Sequence, residues 1–415
     1  MYIIGYDIGT SSIKATLMDA SSGQVMKSAT CPKKEMAIDS PKPGYAEQNP
    51  QSWWQNVKEA AAEIMADSSI DAADIKAIGI TYQMHGLVCV DKNKELIRPS
   101  IIWCDSRAVE IGQKATEVLG QKRCLENLLN YPGNFTASKL KWVKDNEPQN
   151  YKRIYKMMLP GDYIAMKMTG KITTTCSGLS EGILWNFKDK CVADFLMDHY
   201  GFAKDILPEL SETFGVQGTL TSAAAKELGL KEGTVVAYRA GDQPNNAFSL
   251  NVLNPGEVAA TAGTSGVICA IADKAVYDPK SRVNTFVHVN NSDKEPRYSI
   301  LLCINGTGIL NSWLKQNIVG GMDYPAMNDM AMRAPIGSDG LVMLPFGNGA
   351  ERTLENKNIN AAIGNLNFNR HNTSHVLRAA QEGIVFGFKY GLDIISSMGV
   401  KPQTVRAGNA NMFLS

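Results

Sequence analysis

The sequence predicts an α/β fold in two domains, and three observations carry that prediction. Short β-branched runs alternate with stretches of helical periodicity along the whole chain. The segment Ile8-Gly9-Thr10-Ser11-Ser12-Ile13 recurs as Ala262-Gly263-Thr264-Ser265-Gly266-Val267, each time between two β-rich runs. The chain has 415 residues, 44% of them hydrophobic, which at roughly 150 residues per domain is material for more than one core.

Taken in order, residues 2–7 and 13–18 read as strands joined by Gly9-Thr10-Ser11-Ser12, and Ser21-Ser22-Gly23 turns the chain into Gln24–Ala29. This is an antiparallel meander. After Pro41-Lys42-Pro43-Gly44 the pattern predicts a helix from Asn49 to about Ala66, with Pro50 at its first position. A buried strand follows at Ile75–Thr81, helical periodicity returns at 107–119, 136–146, 193–199 and 222–228, and an apolar strand runs over Thr234–Tyr238. Leu253-Asn254-Pro255-Gly256-Glu257 punctuates the chain, so the expected domains are 1–251 and 252–415.

Charge narrows the function classes. With 42 Lys+Arg against 41 Asp+Glu, the net charge of +1 provides no field that would gather nucleic acid or anionic lipid, so neither is an expected partner. A small anionic ligand fits. The 8 cysteines form no CxxC pair and no zinc spacing, the pattern of reduced thiols in a cytosol. The N-terminus lacks a signal-peptide pattern, and no run reaches the roughly eighteen apolar residues of a membrane span. The expectation is a cytoplasmic protein.

Chemistry-bearing residues cluster at predicted strand ends. A Gly-Thr-Ser turn presents N–H groups and hydroxyls without bulk, which suits phosphate oxygens. Asp7 before the first turn can hold magnesium, and Lys14 after it can offset phosphate charge; a plain β-hairpin turn explains the same residues. Tyr82-Gln83-Met84-His85-Gly86 follows the strand at 75–81, where α/β folds gather ligands. His85 there can hydrogen-bond a polyol, or serve as a satisfied structural histidine. Ile101-Ile102-Trp103-Cys104-Asp105-Ser106-Arg107 repeats the form, and Trp103 offers either a flat face to a sugar or a buried aromatic beside a salt bridge. In Ala240-Gly241-Asp242-Gln243, Asp242 is placed either to accept a hydroxyl proton or to cap the next helix. His371 and His375 are four apart and could share a helix face, but with no carboxylate or third ligand placed beside them metal binding is not expected. Lys139–Arg153, with charges interleaved by Asn, Glu and Asp, reads as a solvated helix face.

In order and spacing, Asp7–Lys14, Met84-His85-Gly86, Trp103–Arg107, Gly241-Asp242-Gln243 and Gly263-Thr264-Ser265-Gly266 resemble the FGGY carbohydrate kinases. Pro43–Gln48, Phe135–Trp142 and Gly349–Thr353 look like further family segments, so the likeness spans nearly the whole chain. Asn134 and Asn365 depart from it: Asn134 stands where Gly or an aromatic is usual, Asn365 where Gly is usual, and both are expected away from the chemistry.

The resemblance implies two ribonuclease-H-like domains, as in actin and hexokinase, around a cleft. It implies ATP and Mg2+ as cofactors and a small-molecule sugar as partner, and it admits a homodimer. Gly9, Thr10, Ser11, Lys14, Gly263, Thr264, Gly308 and Gly408 would then meet the nucleotide, with Asp7 near the metal. Met84, His85, Trp103, Asp242 and Gln243 would contact the sugar, with Asp242 as general base. The implied reaction is phosphorylation of a ketopentose, D-xylulose to D-xylulose 5-phosphate. The alternatives are ribulose, gluconate or glycerol as substrate, or a non-catalytic sugar- or nucleotide-binding relative. Arg406-Ala407-Gly408-Asn409-Ala410-Asn411 resembles the start of the family's adenosine motif, and the chain stops at Ser415. The second domain is therefore expected to be incomplete, with a weak grip on ATP.

Overall fold

Alternation of buried and open positions begins at the first residues, where Ile4, Tyr6 and Ile8 turn inward from one strand. The structure is a computed structural model and describes residues 1–66, 70–263 and 265–408. The chain forms two units, Met1–Asn245 and Asn246–Ser415.

In the first unit, β1 (Tyr2–Ile8), β2 (Ile13–Asp19) and β3 (Val25–Cys31) form the expected meander. Helix α1 (Pro50–Met65) follows, its first turn capped by the Asn49 side chain, which accepts from the Gln51 N–H at 3.0 Å. Such a cap contributes about 1 kcal/mol. The inward stripe Trp53, Val57, Ala60, Ala61 and Ile64 packs with Ile4, Tyr6 and Ile13 into the unit's main core. Next come β4 (Ile75–Tyr82), α2 (Thr136–Asn146), α3 (Pro160–Thr169), the short α4 (Cys176–Glu181), β5 (Phe214–Thr219), β6 (Val235–Gly241) and α5 (Asp242–Ser249).

The sheet order is β5-β6-β4-β1-β2-β3. Strands β1, β4 and β6 are parallel, with Ile8 beside Tyr82 and Tyr82 beside Gly241. Their carboxyl ends therefore line up. The residues that leave those ends, Gly9, Gln83 and Asp242, become neighbours although they are far apart in sequence.

The second unit repeats the plan. Strands β7 (Glu257–Ala262), β8 (Gly266–Ala272), β9 (Asn284–Val287) and β10 (Tyr298–Ile304), helices α6 (Gly308–Asn317) and α7 (Thr373–Ser397), and strand β11 (Thr404–Ala407) complete its main elements. The order is β9-β10-β8-β7-β11, with β7 antiparallel to β8 and parallel to β11. That is the relation of β1 to β2 and β4, so the repeated Gly-Thr-Ser turn joins equivalent strands in each unit. Its own core gathers Val258, Ile268, Ile300 and Leu302 against Ile394 and Ile395 of α7. Among the described residues, no helix is long and apolar enough to cross a membrane.

The helix expected over 107–119 begins at Val109, and the strand expected at 101–102 is the short pair Ser100–Ile101. Arg107 precedes the helix, its side chain paired with Asp105 and Glu47.

Candidate active site

At the end of β1, Asp7 holds Lys14 across the hairpin, Nζ to Oδ2 at 3.0 Å. The turn is tight: a Cβ on Gly9 would stand 2.8 Å from the Ser12 carbonyl oxygen, so this position needs glycine. The Thr10 hydroxyl is already engaged. It donates to Gln83 Oε1 at 3.1 Å and accepts from the Trp103 indole N–H at 2.9 Å. What Thr10 can offer a phosphate is therefore its backbone N–H. Ser11 and Lys14 lie on the exposed side of the same hairpin.

Beyond β4, Met84 is buried and His85 sits at φ +62°, a left-handed conformation that is costly for a residue with a Cβ. Three contacts hold it there. Nδ1 meets the Glu181 backbone carbonyl at 2.9 Å, which fixes the proton on Nδ1 and makes Nε2 the acceptor nitrogen of the neutral ring. The Phe135 ring packs edge-on at 4.8 Å, and Lys139 Nζ donates to the His85 carbonyl at 2.8 Å. The next residue, Gly86, cannot carry a Cβ, which would stand 2.6 Å from Pro160 Cγ.

Lys139 corrects the reading of 139–153 as a solvated face. It is 0% exposed, and its ammonium also donates to the Ile102 carbonyl at 3.0 Å, joining the 83–86 and 102–107 loops. Burial pushes its pKa down to about 7, against the pull of Asp105. The signal was in the pattern: Thr136, Lys139, Leu140 and Val143 follow the i, i+3, i+4, i+7 spacing of the inward face of α2.

The Trp103 loop is pinned by charge. Arg107 pairs with Asp105 at 2.7 Å and with Glu47 at 2.7 Å, and its guanidinium stacks on Tyr45 at 3.8 Å. The Pro43–Gln48 segment thus acts as a brace. Asn134, expected away from the site, donates to the Asp105 carbonyl and belongs to the same brace. Trp103 itself is 54% exposed, which excludes the buried-aromatic alternative.

At the end of β6, Asp242 opens α5. Burial, then the charge of Asp7, pushes its carboxyl pKa up to about 7, against hydrogen bonds from the backbone and side chain of Gln243. Asp7, Gly9, Thr10, Ser11, Lys14, Met84, His85, Trp103, Asp242 and Gln243 thus gather around the aligned ends of β1, β4 and β6.

In the second unit, Gly263 and Gly408 follow the ends of the parallel neighbours β7 and β11, and Gly308 opens α6 just beyond β10. The loop before α6 is held by buried Glu351, whose Oε2 accepts the Asn305 N–H at 3.0 Å. Beside it lies a mostly apolar recess of about 380 Å³ lined by Gly306, Ile309, Trp313, Pro345 and Ile363. Thr264 and Asn409–Asn411 lie outside the described residues.

Residues 2–249 match the N-terminal domain, and residues 258–408 the C-terminal domain, of the FGGY family of carbohydrate kinases. The chain belongs to the FGGY family. It is 30% identical to the xylulose kinase of Bacillus subtilis (strain 168), over 97% of this chain and 79% of that protein. The ligand-bound xylulose kinase of Lactobacillus acidophilus superposes with a TM-score of 0.90 at 25% identity, covering 99% of this chain and 82% of that one. The gluconate kinase of Lactobacillus acidophilus gives 0.88 at 26%, covering 98% and 80%. As an FGGY protein the chain is a carbohydrate kinase of xylulokinase-like type with a two-domain α/β fold.

Two further readings of the sequence find physical meaning. Asn365, where the family favours Gly, stands at φ +60°, a conformation that asparagine tolerates best after glycine. The histidine pair also has a carboxylate after all: His375 Nε2 meets Asp339 Oδ2 at 3.2 Å. His371 Nε2 meets only the Asp339 backbone carbonyl, at 3.3 Å. Among the described residues no group of three or more His, Cys, Asp or Glu could hold a metal.

Proposed function

We propose that this FGGY kinase transfers the γ-phosphoryl group of ATP to the terminal hydroxyl of a ketopentose, D-xylulose to D-xylulose 5-phosphate. The observation that carries the reading is Asp242. Its carboxyl stands at a strand end beside Asp7 with a pKa raised to about 7, matched to a proton acceptor working near neutral pH. The names of the xylulose kinase relatives favour the ketopentose.

In this reading the sugar lies on residues 1–251 and the nucleotide draws on 252–415. Trp103 offers a flat face to the C–H side of the sugar, while His85 Nε2 and Gln243 meet its hydroxyls. Asp242 takes the proton of the terminal hydroxyl as that oxygen bonds to the γ-phosphorus. The bond from phosphorus to the bridging oxygen breaks, and ADP leaves. Backbone N–H groups of Gly9, Thr10 and Ser11 meet the phosphates. The apolar recess beside Gly308 suits a flat heterocycle such as adenine, and Gly408 borders the nucleotide.

One carboxylate beside a phosphate turn fits Mg2+, which binds through one or two carboxylates together with phosphates and water. Asp7 would hold it. When bound, the ion offsets charge on the phosphoryl oxygens. Lys14, paired with Asp7, adds a second positive charge at the same turn.

The test is ADP release coupled to a panel of D-xylulose, D-ribulose, gluconate and glycerol, with calorimetric sugar binding alongside. Turnover should be highest with D-xylulose, and Asp242→Ala should lose roughly 10²- to 10⁴-fold in kcat while still binding sugar. Near-normal turnover in that variant would remove the general-base assignment. Sugar binding without ATP-dependent phosphorylation would favour a non-catalytic relative.

A further inference from the structure

Glu181, at the end of α4, is the polar group of the first unit that its own surroundings explain least. It is 2% exposed, and neither carboxyl oxygen has a hydrogen bond of good geometry, the Tyr82 hydroxyl and the His85 N–H being its nearest polar neighbours. A buried carboxyl left in that state weakens the folded protein, so its presence calls for another cause. Nearby cations are directed elsewhere: Arg239 pairs with Asp162 at 2.8 Å, and Lys139 points its N–H groups at two carbonyls.

The carboxyl faces the candidate sugar residues. Oε2 is 3.9 Å from His85 Nδ1. It is also 3.0 Å from the point where a Cβ on Gly241 would stand, and Met84 Cγ lies 2.6 Å from that same point. Gly241 thus leaves room that Met84 and Glu181 share, directly before Asp242. Met84 is unbranched and adaptable, so a swing of its thioether opens the carboxyl to a ligand.

We propose that Glu181 is a substrate-recognition residue whose carboxyl hydrogen-bonds a hydroxyl of an uncharged ketose or polyol bound against Met84 and His85. This deepens the sugar-kinase reading above and rests on it. Burial, followed by the charges of Asp242 and Asp162, pushes the Glu181 pKa well up, against hydrogen bonding with Tyr82. Burial thus favours the neutral form, and a carboxyl in that form donates as well as accepts, which is the complement of a hydroxyl. With Asp242 close by, an anionic aldonate such as gluconate is disfavoured at the same place.

The experiment measures calorimetric binding of D-xylulose, D-ribulose, glycerol and gluconate to the full chain, with thermal unfolding of the ligand-free protein. Glu181→Met should weaken the best uncharged ligand by at least about tenfold and leave the ligand-free melting temperature equal or higher. Glu181→Gln, which still donates and accepts, should stay within about threefold of the parent. Unchanged affinity in Glu181→Met overturns the inference. So does a lower melting temperature or failure to fold, since either assigns Glu181 a structural role. If the parent binds none of the four compounds, the sugar reading itself falls and takes this inference with it. If the parent binds and the methionine variant binds alike, only the role of Glu181 falls.

Discussion

At the scale of single residues, Asp242 is subject to opposed demands. Its raised pKa means that the folded protein keeps a proton which the unfolded chain gives up in the ordinary carboxylate range. The cost of the ionised form therefore starts above about pH 4 and is complete above about pH 7, the range in which a general base must be ionised. Two outcomes follow for one titration. kcat/KM should rise with pH through an acid limb near 7. Asp242→Asn should match the parent in stability near pH 4 and exceed it by about 1–3 kcal/mol at pH 8, as chemical denaturation at the two pH values would register. Equal stability at both would show that the carboxyl is not under this strain. Asp242 was legible because it sits at a predicted strand end with small neighbours. Glu181 was not, since Ser180-Glu181-Gly182 has neither the periodicity nor the punctuation that marks a site, and only the packed neighbours give the side chain its meaning.

At the scale of elements, the sequence made the turns clear and the tilts obscure. Hairpins with Gly-Thr-Ser were legible in both units because glycine and short hydroxylic residues are what a tight strand connection demands. Helix α2 was placed correctly, yet its inward face was misread. Interleaved charges suggested a solvated face, whereas Lys139 is fully buried and Lys141 and Lys144 are only partly covered. Through Lys139 the helix ties together the two loops that carry His85 and Trp103. Lys139→Met keeps the volume and removes both bonds, so the sugar KM should rise by about tenfold while the KM for ATP stays within about twofold. A parallel rise in both constants would reduce Lys139 to a general stabiliser. Because a neutral amine retains two N–H groups, loss of the lysine charge near pH 7 still leaves a donor for each carbonyl.

At the scale of the whole molecule, the same strand plan is built twice, each time around a core of its own. The repeated turn in the sequence was a trace of this, although its length alone was too short to prove it. One consequence is optical. Among the described residues, the two tryptophans that stand about half exposed fall one in each unit: Trp103 at 54%, bonded to Thr10, and Trp313 at 48%, at the mouth of the apolar recess. Trp53 and Trp54, buried in the first core, supply a constant blue background. Sugar should therefore change the emission through Trp103 and adenine nucleotide through Trp313, so that Trp103→Phe silences the first response and Trp313→Phe the second. A sugar response that survives Trp103→Phe would move the ligand away from that loop. The molecule carries a separate fluorescent dye for each of its proposed ligands.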